Sequence, residues 1–191
     1  MSLQPPEKVL LLDRDGTISK KLAPDEYLAD WEQFKFVPET VQAMRELAAD
    51  GFRFIVITNQ AGIALGVVEK EEVDRIHEKM TAELGRLGII ILKVYVSPDH
   101  RGSASVFRKP KPGLFFQASD EYRFRLNQVL YVGDDIRDCQ AAAAAGCGMI
   151  LLGDSSEIRD LPANRQHQSV HESLMGALEV IRNHYQGEPN S

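Results

Sequence analysis

The strongest constraint on the fold is a series of five short apolar segments separated by segments with helical periodicity. The predicted strands are Val9–Leu12, Phe52–Ile57, Ile89–Val96, Gln128–Val132 and Met149–Leu152. The predicted helices are Glu39–Asp50, Glu69–Leu87, Gly113 to about Phe124, Ile136–Ala145 and Glu172–His184. The strands lack a clean alternation of apolar and polar residues, which indicates burial on both faces. We therefore predict an α/β fold, a three-layer parallel sheet of about five strands with helices on both faces.

The composition is that of a globular protein of ordinary size. Hydrophobic residues make up 43% and charged residues 26% of the 191 residues, close to the averages for folded domains. We expect one domain over residues 1–191, with its core at 8–152 and a C-terminal loop and helix at 153–185. The two cysteines, Cys139 and Cys147, lie in or beside an alanine-rich segment, and we expect them to pack in the core rather than form a disulfide.

The charge and hydropathy of the chain argue against several kinds of partner, although they leave room for a local basic patch. A formal net charge of −6 argues against a broad surface for nucleic acid or anionic membranes. We find neither an apolar segment long enough for a transmembrane helix nor the apolar core of a signal peptide. The expected location is the cytoplasm.

Polar and charged side chains follow several predicted strands at once. In open α/β sheets, ligands bind in the crevice outside the carboxyl ends of the strands. The residues at these ends should therefore converge on one site. In chain order they are Asp13, Asp15, Thr58, Asn59, Gln60, Arg108, Lys109 and Asp134.

The residue types in this set suit phosphoryl transfer. Asp13 and Asp15 repel each other unless a cation or a shared proton relieves them, and Mg²⁺ takes oxygen ligands of this kind. Asp134 would complete the shell of the cation. A carboxylate such as Asp13 can act as a nucleophile and form an aspartyl-phosphate. Thr58 and Lys109 would hold the phosphoryl group, and Asp15 would exchange the protons. The alternative for a lone acidic pair is a surface turn without function.

Four motifs, in order over residues 8–152, resemble those of the haloacid dehalogenase (HAD) superfamily of phosphatases. They are the segment 13–17, Thr58, Lys109, and the segment 133–135 together with Asp138. The resemblance implies a Rossmann-like HAD fold with Asp13 as the nucleophile and Asp15 as the general acid and base. It implies Mg²⁺ held by Asp13, the backbone carbonyl of Asp15 and Asp134, and a phosphoryl group held by Thr58 and Lys109.

Longer segments resemble the branch that contains histidinol phosphatases and D-glycero-D-manno-heptose 1,7-bisphosphate phosphatases. They are residues 12–18, 58–64 and 108–113. In that branch, the residue at Arg108 contributes to substrate recognition, and those at Asn59 and Gln60 line the pocket. Relatives often insert a cap domain, but the intervals 18–37 and 99–107 are far below the roughly 40 residues needed for independent folding. We therefore expect no cap domain and an open site.

One departure from the branch concerns its usual structural zinc. The residues expected to begin that site read Ser97-Pro98-Asp99-His100, and no cysteine lies between them and Arg108. Because a structural zinc needs four ligands in most cases, we expect Mg²⁺ and no zinc. Asp135 is expected to cap a helix rather than bind metal, and His77 to be a surface or packing residue.

These features predict a Mg²⁺-dependent phosphomonoesterase that acts on a small phosphorylated metabolite through an aspartyl-phosphate intermediate. The best single candidate is a D-glycero-D-manno-heptose 1,7-bisphosphate 7-phosphatase, with a histidinol-phosphate phosphatase next. A polynucleotide 3′-phosphatase would need a basic groove, which the net charge of −6 does not favour. A noncatalytic binding protein of the same fold is the remaining alternative, although every motif residue is present. We expect a monomer or a small homo-oligomer.

Overall fold

A computed structural model describes residues 8–23, 26–153 and 168–186. Within these residues, six strands form one sheet in the order β3-β2-β1-β4-β5-β6, and each neighbouring pair is parallel. The strands are β1 Val9–Leu12, β2 Arg53–Asn59, β3 Ile91–Ser97, β4 Leu130–Gly133, β5 Gly148–Leu152 and β6 Gln168–His171. The chain order turns back on itself between β1 and β4, and in such sheets this is the position where ligands bind.

Five α-helices connect or follow the strands. They are α1 Pro38–Ala49, α2 Lys70–Arg86, α3 Gly113–Tyr122, α4 Ile136–Ala145 and α5 Leu178–Gln186, with short 3₁₀ helices at Trp31–Gln33 and Leu126–Gln128. Local residues explain where two of them begin and end. Proline at the first position of α1 has no N–H to leave unpaired. Helix α4 begins at a capping box of Asp135 and Asp138 and ends at Gly146, whose φ is 75°, a conformation that costs glycine little.

The core lies on both faces of the sheet, because successive side chains of a strand point to opposite sides. Leu10 and Leu12 of β1 pack with residues of α1, α2 and α5. Val9 and Leu11 pack on the other face with residues of α3 and α4. The predicted three-layer α/β fold is confirmed. Both cysteines are free and buried, as expected.

The carboxyl-terminal part differs from the sequence prediction. We predicted a loop over 154–168 and a helix from Glu172, whereas Gln168–His171 pairs with β5 as a sixth strand and α5 begins at Leu178. A four-residue edge strand with Val170 as its single aliphatic residue carries little periodic signal. Residues 154–167 and 187–191 lie outside the described residues, so the single domain over 1–191 stays a prediction.

Aromatic side chains pack together in the described part of the segment between β1 and α1. The rings of Trp31 and Phe34 stack with centroids 4.9 Å apart, and Phe36 meets Phe34 edge to face. Isolated bridges join Ser19 to Asp15 and to Phe36, which brings this segment over the end of β1. Among the described helices, we find none that is long and apolar enough to cross a membrane.

Candidate active site

A cleft of about 700 Å³ opens at the carboxyl ends of β1, β2 and β4. The backbone N–H of Asp13 donates to the carbonyl of Val132 at 2.8 Å, which extends the pairing of β1 with β4 into the site. The structure brings together all eight residues that the sequence placed there. The cleft is lined by Asp13, Asp15, Thr58, Asn59, Gln60, Arg108, Lys109 and Asp134, among others.

The ammonium group of Lys109 lies at the centre of a buried polar network. Its Nζ is 2.8 Å from Oδ1 of Asp13 and 2.7 Å from Oδ1 of Asp138. It also donates to the Tyr131 hydroxyl at 2.7 Å and to the Ile57 carbonyl at 3.0 Å. Four oxygens thus share three N–H groups, and Oδ1 of Asp13 has no well-aligned hydrogen bond despite its short distance. Electrostatic attraction therefore holds Asp13 to Lys109 here.

The pKa values in this network are shifted by burial and by neighbouring charges. Burial raises the pKa of the Asp13 carboxyl against the attraction of Lys109, and Asp138 and Asp15 add to the rise. Burial alone would lower the pKa of Lys109, but Asp13 and Asp138 outweigh it and raise that pKa. Lys109 therefore stays charged. The network of Lys109, Asp13 and Asp138 contains more acidic than basic groups, which suits the binding of a cation.

Asp15 is held by several donors at once. The guanidinium of Arg14 donates to both of its oxygens at 2.9 and 2.7 Å. Gln60 donates to Oδ2 at 2.9 Å and Ser19 to Oδ1 at 3.2 Å. Burial would raise the pKa of Asp15, but Arg14 and these hydrogen bonds outweigh it and keep the pKa below its usual value. The carboxylate is therefore ionised in this arrangement, and it must take up a proton before it can act as an acid.

Residues at the end of β2 organise the other side of the cleft. Thr58 is buried, and its Oγ1 accepts a hydrogen bond from Gln60 at 3.0 Å. The side-chain amide of Asn59 donates to the Lys109 carbonyl and accepts from the Lys109 N–H, both at 3.0 Å. Arg108 is 9% exposed and donates to the Asp99 carbonyl at 2.7 Å. Asn59 thus fixes the segment that carries Arg108 and Lys109.

Three carboxylates form a candidate metal site. Oxygens of Asp13, Asp134 and Asp138 lie within 4.8 Å of one another. Gly16 keeps space for this site, because a Cβ there would lie 2.1 Å from Oδ2 of Asp134, and its φ is 84°. Lys21 donates to the same oxygen at 2.7 Å. A donor set made of oxygens fits Mg²⁺, which is held in proteins by one or two carboxylates and water.

Among the described residues, Asp138 at the start of α4 is the one of the three carboxylates with both oxygens held by other groups of the protein. Its Oδ2 accepts the backbone N–H groups of Asp134 and Asp135 at 3.2 and 3.1 Å. Its Oδ1 contacts Tyr131 and Lys109. Asp135 caps α4 and pairs with Arg137 at 2.7 Å, which confirms the expected cap. The carboxylates of Asp135 and Asp138 are thus both bound by other groups of the protein.

Sequence reasoning missed four residues of this region. Three line the cleft or its network, namely Lys21, Arg137 and Tyr131, and His77 lies behind it in contact with Arg14. Tyr131 offered a signal, since a tyrosine in a fully buried strand needs a partner for its hydroxyl. Lys21 lies in a segment without periodicity, and nothing in the sequence pointed to it.

The chain is similar to phosphatases over most of its length. The model of the polynucleotide kinase 3 phosphatase family matches residues 8–146. The D-glycero-beta-D-manno-heptose-1,7-bisphosphate 7-phosphatase of Escherichia coli O6:H1 is 36% identical over 150 residues, which are 75% of this chain and 77% of that protein. The D-glycero-alpha-D-manno-heptose-1,7-bisphosphate 7-phosphatase of Mycobacterium tuberculosis (strain CDC 1551) is 32% identical over 153 residues, 77% of this chain and 80% of that protein.

A solved structure extends this similarity to the fold. It is the D,D-heptose 1,7-bisphosphate phosphatase from B. bronchiseptica, complexed with magnesium and phosphate, with a TM-score of 0.83 and 29% identity. The alignment covers 92% of this chain and 98% of that one. Residues 8–146, which the family model matches, include every strand end that lines the cleft.

Proposed function

The chain belongs to the phosphatases of the HAD superfamily, and we propose that it is a Mg²⁺-dependent phosphomonoesterase with Asp13 as its nucleophile. It lies in the branch of the histidinol and heptose bisphosphate phosphatases. The observation that carries the proposal is the position of Asp13, 2.8 Å from the buried Lys109 ammonium and grouped with Asp134. A nucleophile at Asp13 would lie beside a fixed cation and a set of oxygen donors for a second cation.

The side chains support a reaction in two displacements. In the first, a carboxylate oxygen of Asp13 attacks phosphorus and the ester P–O bond breaks, while Asp15 in its protonated form gives its proton to the leaving oxygen. In the second, Asp15 takes a proton from water, the water oxygen attacks phosphorus, and inorganic phosphate leaves Asp13. Lys109 and Thr58 hold the phosphoryl oxygens throughout.

Magnesium would be held by Asp13, the backbone carbonyl of Asp15 and Asp134. When bound, it supplies positive charge beside the transferring phosphoryl group. Lys21 occupies one oxygen of Asp134 at 2.7 Å. We propose that this half-exposed ammonium moves aside when the cation is bound, because one carboxylate oxygen seldom serves both. We keep the prediction that the protein binds no zinc, which metal analysis of the purified protein would test.

For the substrate, we propose D-glycero-D-manno-heptose 1,7-bisphosphate, hydrolysed at the 7-phosphate, with histidinol phosphate as the alternative. Support comes from relatives named for this activity at 36% and 32% identity. Their names specify different anomers, so the anomer is left open. The proposed contacts to the sugar are Arg108, Asn59 and Gln60, which line the cleft. We propose the cytoplasm as the location and a monomer or small homo-oligomer as the assembly.

A polynucleotide 3′-phosphatase is the second candidate, because the matching family model carries that description. The net charge of −6 disfavours a long basic groove for a polyanion. Both candidates share the chemistry at Asp13 and differ only in what the cleft accepts.

A panel of phosphate esters separates these candidates. Phosphate release with Mg²⁺ is measured for both heptose bisphosphate anomers, histidinol phosphate and a 3′-phosphorylated oligonucleotide. We expect the highest kcat/KM for a heptose bisphosphate, and its loss in Asp13→Asn. Undiminished turnover by Asp13→Asn contradicts the nucleophile. A preference for the oligonucleotide at moderate salt contradicts the substrate and leaves the chemistry intact.

A further inference from the structure

The side chain of Arg14 lies inside the protein and joins helix α2 to the turn after β1. It is 1% exposed and is among the largest fully buried side chains of the described residues. Two of its nitrogens donate to Asp15. The third, NH1, lies 2.9 Å from Nε2 of His77 on α2. A buried guanidinium is stable only where its N–H groups are paired, and His77 is the partner of its third nitrogen.

The contact also determines the protonation of His77. A guanidinium has donors and no acceptor, so Nε2 of His77 must accept the hydrogen bond. The imidazole is therefore neutral, with its proton on Nδ1. Burial and the charge of Arg14 lower the pKa of His77 to about 3, which agrees with the geometry. His77 is 6% exposed, and its Nε2 is a fixed hydrogen-bond acceptor on α2.

The orientation of Arg14 in turn affects the carboxylate of Asp15. Its Oδ1 accepts from Arg14 Nε and Ser19 Oγ, and its Oδ2 from Arg14 NH2 and Gln60 Nε2. Of these four donors, the two on Arg14 are fixed relative to each other by the planar guanidinium. The orientation of Arg14 therefore sets the plane of the carboxylate, and His77 sets the orientation of Arg14.

We propose that His77 is a positioning residue of the reaction. By orienting Arg14, it holds the Asp15 carboxyl group in the plane from which Asp15 exchanges protons. This inference rests on the proposed function, in which Asp15 is the general acid. The remaining buried side chains of α2 are mostly aliphatic and pack in the core. His77 is the polar exception on that face, and packing alone does not require an acceptor aimed at Arg14.

The test uses substrates that differ in how much they need an acid. Phenyl phosphate releases a more basic oxygen than p-nitrophenyl phosphate and depends more on protonation of the leaving group. For each variant we take the ratio of kcat/KM for p-nitrophenyl phosphate to that for phenyl phosphate. The folded fraction cancels in this ratio, because both rates are measured on one preparation. A loss of packing lowers both rates alike, whereas a misplaced acid raises the ratio.

Three variants are compared with the wild type. His77→Phe removes the acceptor at similar volume, and His77→Gln restores one, since its Oε1 is as many bonds from Cα as Nε2. Leu84→Val disturbs a buried position two turns further along α2 and is the packing control. We expect His77→Phe to raise the ratio about tenfold, part of the 10² to 10⁴ that general acids typically contribute. The other two should stay within about twofold of the wild type.

Asp15→Asn, measured beside them, separates this inference from the proposed function. If Asp15→Asn raises the ratio and His77→Phe does not, the positioning role of His77 is overturned and the acid remains. If Asp15→Asn leaves the ratio unchanged, the assignment of the acid itself is wrong. Should His77→Phe give no folded protein, Arg14→Lys takes its place, since it keeps the charge but loses the planar fork. Equal losses on both substrates would then overturn the inference.

Discussion

Lys109 is a residue for which we propose both a structural and a chemical role. Its buried ammonium lies between Asp13 and Asp138, and neither carboxylate has another cation within ion-pair distance among the described residues. Removing the ammonium leaves negative charges in a low-dielectric site, which is costly. It also removes the fixed positive charge beside the proposed nucleophile.

We therefore expect Lys109→Met to lower kcat by about 10² to 10³, the usual effect of losing one electrostatic contact to the transition state. Steady-state hydrolysis of p-nitrophenyl phosphate measures it. Lys111→Met is the matched control, because Lys111 is exposed and should keep kcat within about twofold. Retained activity in Lys109→Met would contradict the role of this side chain.

His77 gives a second prediction at the residue scale, for stability against pH. Its pKa is lowered from 6.5 to about 3 by burial and by Arg14, so protonation favours the unfolded chain. The contribution of neutral His77 is complete above about pH 6.5 and is lost as the pH falls toward 3. Between about pH 6 and pH 4, the wild type should lose up to about 1.4 kcal/mol per pH unit more than His77→Gln. Urea unfolding measures both, and parallel slopes would contradict it.

The proposed catalytic residues could be identified one by one from the sequence, whereas the residues that support them could not. Asp13 and Thr58 lie at the ends of apolar strands, and Lys109 directly precedes Pro110. Polar side chains at such positions indicate a binding site. Tyr131 and His77 lie among apolar residues of a strand and a helix. The role of their polar atoms can be recognised only once the hydrogen-bond partners are known. A partner such as Arg14 lies 63 positions away from His77 along the chain, beyond any local pattern.

At the scale of elements, α5 is joined to the sheet at the edge opposite the cleft. The hydroxyl of Tyr185 donates to the carbonyl of Val9 and accepts from the N–H of Leu130, at the starts of β1 and β4. Its ring packs edge to face against Phe52 with centroids 4.9 Å apart. The helix thus supports the two central strands from the end that carries no proposed site residue.

Tyr185→Phe should accordingly separate stability from activity. The change keeps the ring and leaves the Leu130 N–H unpaired, which costs about 1 to 3 kcal/mol when the group is buried. We expect a lower melting temperature by calorimetry and a kcat within about twofold of the wild type at a temperature where both are folded. A large loss of kcat would show that α5 communicates with the cleft.

The elements themselves were largely predictable because most obey one simple rule. Each of β1, β2, β4 and β5 contains an uninterrupted apolar segment, and α1 and α4 are marked by Pro38 and Gly146 at their ends. The edge strand β6 obeys no such rule. It is defined by its pairing with β5, which is a property of the sheet and not of its own residues.

At the scale of the whole molecule, the fold gathers acidic groups from distant parts of the chain. Asp13 and Asp134 are brought together because β1 and β4 are neighbours in the sheet. Oxygens of these two carboxylates and of Asp138 lie within 4.8 Å of one another, so the three groups repel each other when ionised. The protein as a whole already carries a net charge of −6. A cation that binds only the assembled site therefore stabilises the folded state.

Mg²⁺ should raise the melting temperature of the protein, and EDTA should reverse the rise. At a free concentration 100 times the dissociation constant, the gain is about 2.7 kcal/mol, an easily measured shift in a domain of this size. Asp134→Asn should abolish the shift, while Asp120→Asn, whose parent side chain is 87% exposed on α3, should keep it. Because Lys21 pairs with Asp134, Lys21→Met should enlarge the shift at low Mg²⁺. An equal shift in the wild type and Asp134→Asn would place the cation elsewhere and remove the metal from the proposed reaction.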